Sequence, residues 1–352
     1  MLNSAAHWLL VSLQLSLAVG TEAAPANPTP KLCLLKGRTM GTSYMVKFIE
    51  LPSHDANATP AQIEARLNGL FEQVNAQMST YLTNSELSIF NRSSQTNWFP
   101  VSKELAEVFA RSRAISEISG GAFDITVGPL VNLWGFGPER KARVVPSNES
   151  IVRLLHRVGY RNISVRLNPP AVRKAFPEVY CDLSGIAKGY AVDQAAEYLQ
   201  SLGIANYVVE IGGEVRAHGR NASGRGWGIG IQDPADPNRL YRTLPVLNRS
   251  VATSGDYVQY FEQDGRRYSH TIDPKTGRPI SHGLTSVTVV DASCATADGL
   301  ATALTVLGPE KGYALAREQH WAVLMLVRQG NKSIEQSTPE FDQLEAAEHV
   351  ER

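Results

Sequence analysis

Apolar residues at Ile63, Leu67, Leu70, Phe71 and Val74 recur at helical spacing behind Thr59-Pro60. This predicts a helix with an N-cap, a proline in its first turn and one buried face. Ser102 opens a second helix with Leu105, Val108, Phe109, Ile115 and Ile118 on one side, and Gly120-Gly121 stops it. Ile151, Leu154, Leu155 and Val158 mark a third, and Val192, Ala195, Ala196, Leu199 and Leu202 a fourth. A fifth carries Leu300, Leu304 and Leu307 and closes at Gly308-Pro309.

Other segments alternate with period two, as half-buried strands do: Ile163-Ser-Val165-Arg-Leu167, Trp227-Gly-Ile229-Gly-Ile231 and Val287-Thr-Val289. A first strand is expected over Gly37 to Glu50, and many short strands follow one another between residues 205 and 290 before helix returns. That order predicts an α+β fold with a largely antiparallel sheet rather than a repeating βαβ unit. No internal repeat is visible.

The ends differ from the middle. Residues 1–26 contain an apolar run, Trp8 to Val19, followed by small residues and proline, and read as a secretory signal. About twelve apolar residues fall short of the ~20 that span a bilayer, so no transmembrane span is expected once the signal is removed. Residues 27–36 read as a linker, 37–330 as the folded domain, and 331–352, polar and acid-rich, as a weakly ordered tail.

Charge narrows the partners. Lys+Arg and Asp+Glu both total 34 among 352 residues, which leaves no net positive field for nucleic acid or acidic membranes. Three cysteines give no disulfide framework. Cys33 follows Pro-Lys-Leu, without the small residues that precede a lipidated cysteine, so a plain exposed thiol is expected over an acyl anchor.

Six stretches carry candidate chemistry. In Arg38-Thr-Met40-Gly41-Thr42-Ser-Tyr44, glycine permits close backbone approach and Met40 offers a polarizable surface to a flat ring; packing and a bulge are the alternative. Met78-Ser-Thr-Tyr81-Leu-Thr-Asn84 follows a helix, and Tyr81 either stacks on a ring or is half-buried. Ser119-Gly-Gly-Ala122-Phe123-Asp124-Ile-Thr126 combines glycine freedom, an aromatic and a carboxylate, as a nucleotide pocket wall or an aromatic-plugged turn would.

Asp182-Leu-Ser184-Gly185-Ile-Ala187-Lys188-Gly189 leads into a helix, whose free amides favour an anion, with Lys188 in the first turn; a capped helix with a solvated lysine is the alternative, and from this segment alone the preferred one. It is neither a Walker A loop nor a Rossmann fingerprint. Tyr268-Ser-His270-Thr-Ile272-Asp273-Pro274-Lys-Thr276-Gly277 holds His270 and Asp273 at a tight turn, His270 being either a base or a simply hydrogen-bonded strand histidine. In Ala297-Asp298-Gly-Leu300-Ala-Thr302, Asp298 and Thr302 share a helix face, a carboxylate and a hydroxyl suited to magnesium; a polar helix face with no ion is the alternative.

The six stretches, in this order across residues 37 to 320, resemble the ApbE family of FAD:protein FMN transferases. The resemblance implies an ApbE-like (T-fold-like) α+β transferase binding FAD. It places Met40, Tyr81, Ala122, Phe123, Asp124, Asp182, Lys188 and Ile272 against the dinucleotide. It puts Mg2+ between Asp298, Thr302 and the backbone oxygen around Gly185.

The implied reaction is transfer of FMN from FAD to a threonine of an acceptor protein with release of AMP. His270, or else Asp273, accepts the hydroxyl proton. Acceptors implied are exported parts of redox complexes: sodium-pumping NADH:quinone oxidoreductase, Rnf-type complexes or a NosR-like regulator. Two other readings stay open at this point, a magnesium-dependent FAD pyrophosphatase giving FMN and AMP, and a non-catalytic FAD-binding protein.

Overall fold

In the computed structural model the described residues are 31–50, 58–139, 142–255, 259–330 and 332–349. The expected signal peptide, residues 1–26, and the start of the expected linker lie outside them.

The first two strands, β1 (Leu32–Thr39) and β2 (Thr42–Ile49), form an antiparallel hairpin. Its two-residue turn is Met40-Gly41, with φ of 49° and 76°. Both central residues of such a turn need positive φ, which glycine adopts freely and methionine rarely does. This replaces the single strand expected over Gly37 to Glu50. It also corrects the linker, because β1 begins at Leu32, inside the expected 27–36 segment.

Helix α1 (Pro60–Met78) starts as the sequence predicts. Thr59 caps it, the Gln62 side chain returns to the Thr59 amide, and Ile63, Leu67, Phe71 and Val74 are buried. A short α2 (Glu86–Arg92), capped by Ser85, precedes β3 (Phe99–Pro100). Then come α3 (Lys103–Ile118) behind its Ser102 cap, α4 (Gly128–Leu133) and α5 (Asn148–Leu155). Strands β4 (Ile163–Leu167) and β5 (Pro170–Lys174) join β3 in a small sheet ordered β3-β5-β4.

After α6 (Ala187–Ser201) the chain is mostly strand. β6 (Tyr207–Ile211), β7 (Glu214–His218), β10 (Arg249–Gly255), β15 (Leu284–Asp291), β16 (Ala322–Gln329) and β17 (Lys332–Ser337) extend the first hairpin. The result is an eight-stranded antiparallel sheet ordered β1-β2-β6-β7-β10-β15-β16-β17. Three hairpins branch from it: β8 (Trp227–Asp233) with β9 (Asp236–Val246), β11 (Tyr260–Gln263) with β12 (Arg266–Ser269), and β13 (Ile272–Asp273) with β14 (Arg278–Pro279). The α+β class follows, as expected.

Side chains alternate between the two faces of this sheet. Tyr207, Val209, Ile211, Ala252, Val287, Val289, Val323 and Met325 pack with α1, α6 and α7 (Cys294–Glu318). Val208, Val215, Val251, Val290 and Leu324 pack on the other face with Trp227, Ile229 and Leu244 of the β8–β9 hairpin and with Phe341 of α8 (Pro339–His349). A satellite core joins Leu130, Trp134, Phe136, Ile151 and Ile272. No helix among the described residues is long and apolar enough to cross a membrane.

Two further expectations are corrected. Gly308, at φ 78° and ψ 179°, kinks α7, but helix resumes through Pro309 to Glu318 rather than closing there. The polar tail is structured: β17 pairs along β16, and α8 follows, with Phe341 fully buried.

Candidate functional site

Helices α6 and α7 are locked together near their N-terminal ends. Asp193 of α6 accepts hydrogen bonds from the amides of Cys294 (2.9 Å) and Ala295 (3.0 Å) and from Ser293 Oγ (2.8 Å). Arg216 of β7 pairs with the same carboxylate at 2.6 Å. Two orphan amides at the start of α7 are thereby satisfied by a buried anion. One turn further in lies Asp298, and another turn beyond it Thr302.

Asp298 is 3% exposed, and its Oδ2 accepts the Gly189 amide at 3.0 Å. Lys188 Nζ lies 3.9 Å from the same oxygen and 2.7 Å from Glu214 Oε1 at the start of β7. Burial pushes the Asp298 and Glu214 carboxyls up, and the Lys188 ammonium opposes both shifts. For Lys188, burial favours the neutral amine, but Asp298 and Glu214 outweigh it and hold the ammonium above its ordinary value.

The loop before α6 completes this corner. A Cβ placed on Gly185 would lie 3.2 Å from Thr302 Oγ1 and 3.2 Å from the Phe123 ring, so any side chain here would press on both neighbours. Thr302 Oγ1 also lies 3.4 Å from Ser254 Oγ on β10. A carboxylate and a hydroxyl one helical turn apart, beside the Gly185 backbone, are hard oxygen donors, and so few of them suit magnesium, which keeps waters and takes substrate phosphate oxygens. The expected residues Gly185, Asp298 and Thr302 therefore fit Mg2+. Among the described residues no group of three or more His, Cys, Asp or Glu side chains forms an all-protein cage.

Two of the remaining stretches lie beside the segment that leads to Lys188. The Asp182 amide donates to Ile125 O at 2.7 Å, which seats the Ala122-Phe123-Asp124 loop beside the segment leading to Lys188. Asp124 is 6% exposed, and its carboxylate is occupied: Oδ1 by the Thr126 amide and hydroxyl, Oδ2 by the Tyr160 amide at 2.7 Å. Its side chain builds the loop. Tyr81 is 66% exposed, and the Asp182 carboxylate, after burial, raises its phenol. An exposed ring beside the loop is free to take a planar ligand. The Met40-Gly41 turn adjoins Gly212 through Thr42, and the Gly212-Gly213 turn carries Glu214.

His270 accepts nothing at Nδ1; that nitrogen lies 3.0 Å from Gln259 O and donates to it. Its ring meets Phe136 edge-on at 6.3 Å. These contacts place His270 beside Gln259 and Phe136, not against the Asp298–Thr302 pair. Asp273 closes the following turn, with Oδ1 accepting the Lys275 amide at 2.8 Å. Ile272 is buried in the satellite core, whose Trp134 donates Nε1–H to Gly277 O at 2.9 Å, so its side chain packs that turn.

Residues 40–325 match the ApbE family. The chain belongs to the ApbE family. An FAD:protein FMN transferase of Vibrio cholerae serotype O1 is 46% identical over 323 residues, 92% of this chain and 94% of that one. One from Haemophilus influenzae is 41% identical over 340 residues, 95% and 98% of the two chains. The flavin transferase ApbE from Vibrio cholerae superposes with a TM-score of 0.83 at 43% identity, covering 89% of this chain and 99% of that one. The Pseudomonas stutzeri flavinyl transferase ApbE, apo form, gives 0.82 at 40% identity, covering 90% and 97%.

Within this ApbE-family site, sequence reasoning missed Glu210 and Glu214. Both lie on strands, where a carboxylate ordinarily faces solvent. The usable signal was the Gly212-Gly213 turn between them, which folds β6 onto β7 and, by pairing Glu214 with Ile211, sets Glu214 on the helix side of the sheet, while Glu210, opposite Val215, lies on the other side. Glu210 Oε1 accepts the Gly213 amide at 2.8 Å, and burial pushes its carboxyl up.

Proposed function

We propose that this ApbE-family enzyme transfers the FMN half of FAD to a threonine hydroxyl of an acceptor protein, releasing AMP. The observation that carries the reading is the convergence of Lys188, Asp298, Thr302 and the Gly185 backbone at the start of two locked helices. Relatives named FAD:protein FMN transferase that match nearly end to end support it.

The diphosphate of FAD lies at this corner, where the Lys188 ammonium faces it. Asp298, Thr302 and the Gly185 backbone would hold magnesium, which would supply further neutralisation of the phosphate charge. The hydroxyl oxygen forms a bond to the FMN-side phosphorus as the bond to the bridging oxygen breaks, and that oxygen leaves with AMP. His270 takes the hydroxyl proton: with Nδ1 donating to Gln259 O, the tautomer leaves the lone pair on Nε2. The exposed Tyr81 ring and the Phe123 loop hold the flavin and adenine parts of the dinucleotide.

Export to the periplasm and an acceptor among exported subunits of Nqr-type, Rnf-type or NosR-like redox systems complete the proposal, in line with the apolar segment Trp8 to Val19. The test is to incubate the protein with FAD, Mg2+ and such an acceptor domain and read the acceptor's intact mass. Addition of one FMN together with AMP release supports the transferase. Free FMN and AMP with no acceptor modified by any of the three classes makes it a pyrophosphatase, and unchanged FAD makes it a binding protein.

A further inference from the structure

Glu214 is 4% exposed, ion-paired to Lys188 through Oε1 at 2.7 Å, and its Oε2 has no hydrogen-bond partner. The turn that presents it is fixed from below, since Glu210 Oε1 accepts the Gly213 amide. The reaction proposed above gives this carboxylate no role. Its position relative to Asp298 suggests one.

Lys188 Nζ sits between two carboxylates, at ion-pair distance from Glu214 and 3.9 Å from Asp298 Oδ2. An ammonium drawn to Asp298 alone would close to hydrogen-bond distance and compete with a cation for the same carboxylate. Glu214 holds it back. Asp298 Oδ2 is then shared only with the Gly189 amide, and the carboxylate remains available to metal.

We infer that Glu214 is a positioning residue of the metal site, acting through Lys188: it restrains the ammonium so that Asp298 can serve a divalent cation. This rests on the assignment of Asp298 and Thr302 to that cation. It requires no contact between Glu214 and metal, and no change in its protonation.

The test is a double-mutant cycle read by Mn2+ binding alone, without FAD, from the free Mn2+ paramagnetic resonance signal. Glu214→Gln keeps the shape of the side chain and removes its charge. It should weaken Mn2+ binding about tenfold in the presence of Lys188, and less than about twofold in a Lys188→Met background. Equal losses in both backgrounds, or no loss in either, overturn the inference. Should Glu214→Gln not fold, as judged by circular dichroism, Glu214→Asp takes its place. That variant keeps the charge but draws Lys188 back by one methylene, and it must retain binding within about threefold of wild type in both backgrounds.

Failure of the underlying reading is separable. A wild-type protein that binds no Mn2+ removes the metal site and the inference with it. Normal coupling in a protein that modifies no acceptor leaves the inference standing and removes only the transferase reaction.

Discussion

The Gly189 amide of α6 donates to Asp298 Oδ2 of α7 at 3.0 Å, so one carboxylate both ties two helices together and faces the cluster that Lys188 occupies. Replacing it deletes a metal ligand and not a ring contact. Asp298→Ala should lower FMN transfer by two to three orders of magnitude, about 3–4 kcal/mol, while FAD still quenches or shifts flavin fluorescence on binding. Full activity of the variant at limiting Mg2+ would refute the assigned site.

Gly185 sits where a methyl group meets Thr302 Oγ1 and the Phe123 ring, both at 3.2 Å. Gly185→Ala should therefore displace the loop by a few tenths of an ångström at the point where backbone and Thr302 converge. The expected result is a rise in the Mg2+ concentration for half-maximal rate, with a melting temperature within a few degrees of wild type. An unchanged Mg2+ requirement would remove Gly185 from the site.

His270 and Asp273 are distinguished by what already occupies them. Asp273 Oδ1 closes a turn onto Lys275, whereas His270 is an imidazole anchored through Nδ1 to Gln259 O. His270→Ala should reduce kcat for transfer by about 10²- to 10⁴-fold, and Asp273→Asn by less than about tenfold. The reverse order, measured on the same acceptor, would assign the base to Asp273.

Burial holds the Asp124 carboxyl above its ordinary value of 3.8 against hydrogen bonds from Thr126 and Tyr160. The folded chain then binds this proton more tightly than the unfolded one. The stabilisation is complete below the ordinary value and is lost as pH rises through the folded one. Asp124→Asn does not titrate, so the melting-temperature gap between wild type and variant should shift in the variant's favour from about pH 4 to about pH 7. A shift in favour of wild type would contradict the raised value.

Lys174 is 1% exposed and donates to the carbonyls of Asn91 (3.0 Å), Ser93 (2.8 Å) and Pro177 (3.2 Å). Lys174→Met leaves three carbonyls short of a donor in a dry site. It should cost about 3 kcal/mol in urea unfolding, with FAD affinity of the folded protein unchanged. A cost below about 1 kcal/mol would mean that water replaces the ammonium.

Helix starts were the most legible part of the chain, because Thr59 and Ser102 declare themselves by cap chemistry next to a periodic apolar face. The α6 loop and the Asp298-Thr302 spacing were readable for the same reason: they concern residues one turn apart. What escaped depends on distant contacts. Leu32, Cys33, Leu34 and Leu35 do not alternate, so β1 becomes a strand only through its pairing with β2. The Met40 turn carries positive φ on a residue that seldom signals it. Glu214 becomes chemical only when β7 lies beside α6, a relationship no local spacing encodes.

The structured C-terminal end bears on solubility during folding. β16 presents Ala-Val-Leu-Met-Leu-Val in succession, and without β17 its outer backbone edge would be a template for intermolecular pairing. β17, Lys-Ser-Ile-Glu-Gln-Ser, takes that edge and offers water a polar one, and Phe341 of α8 seals the apolar face beneath. The acid-rich last segment thus serves as a built-in guard against aggregation, and a chain ending at Gly330 should accumulate as insoluble protein whatever the state of its site.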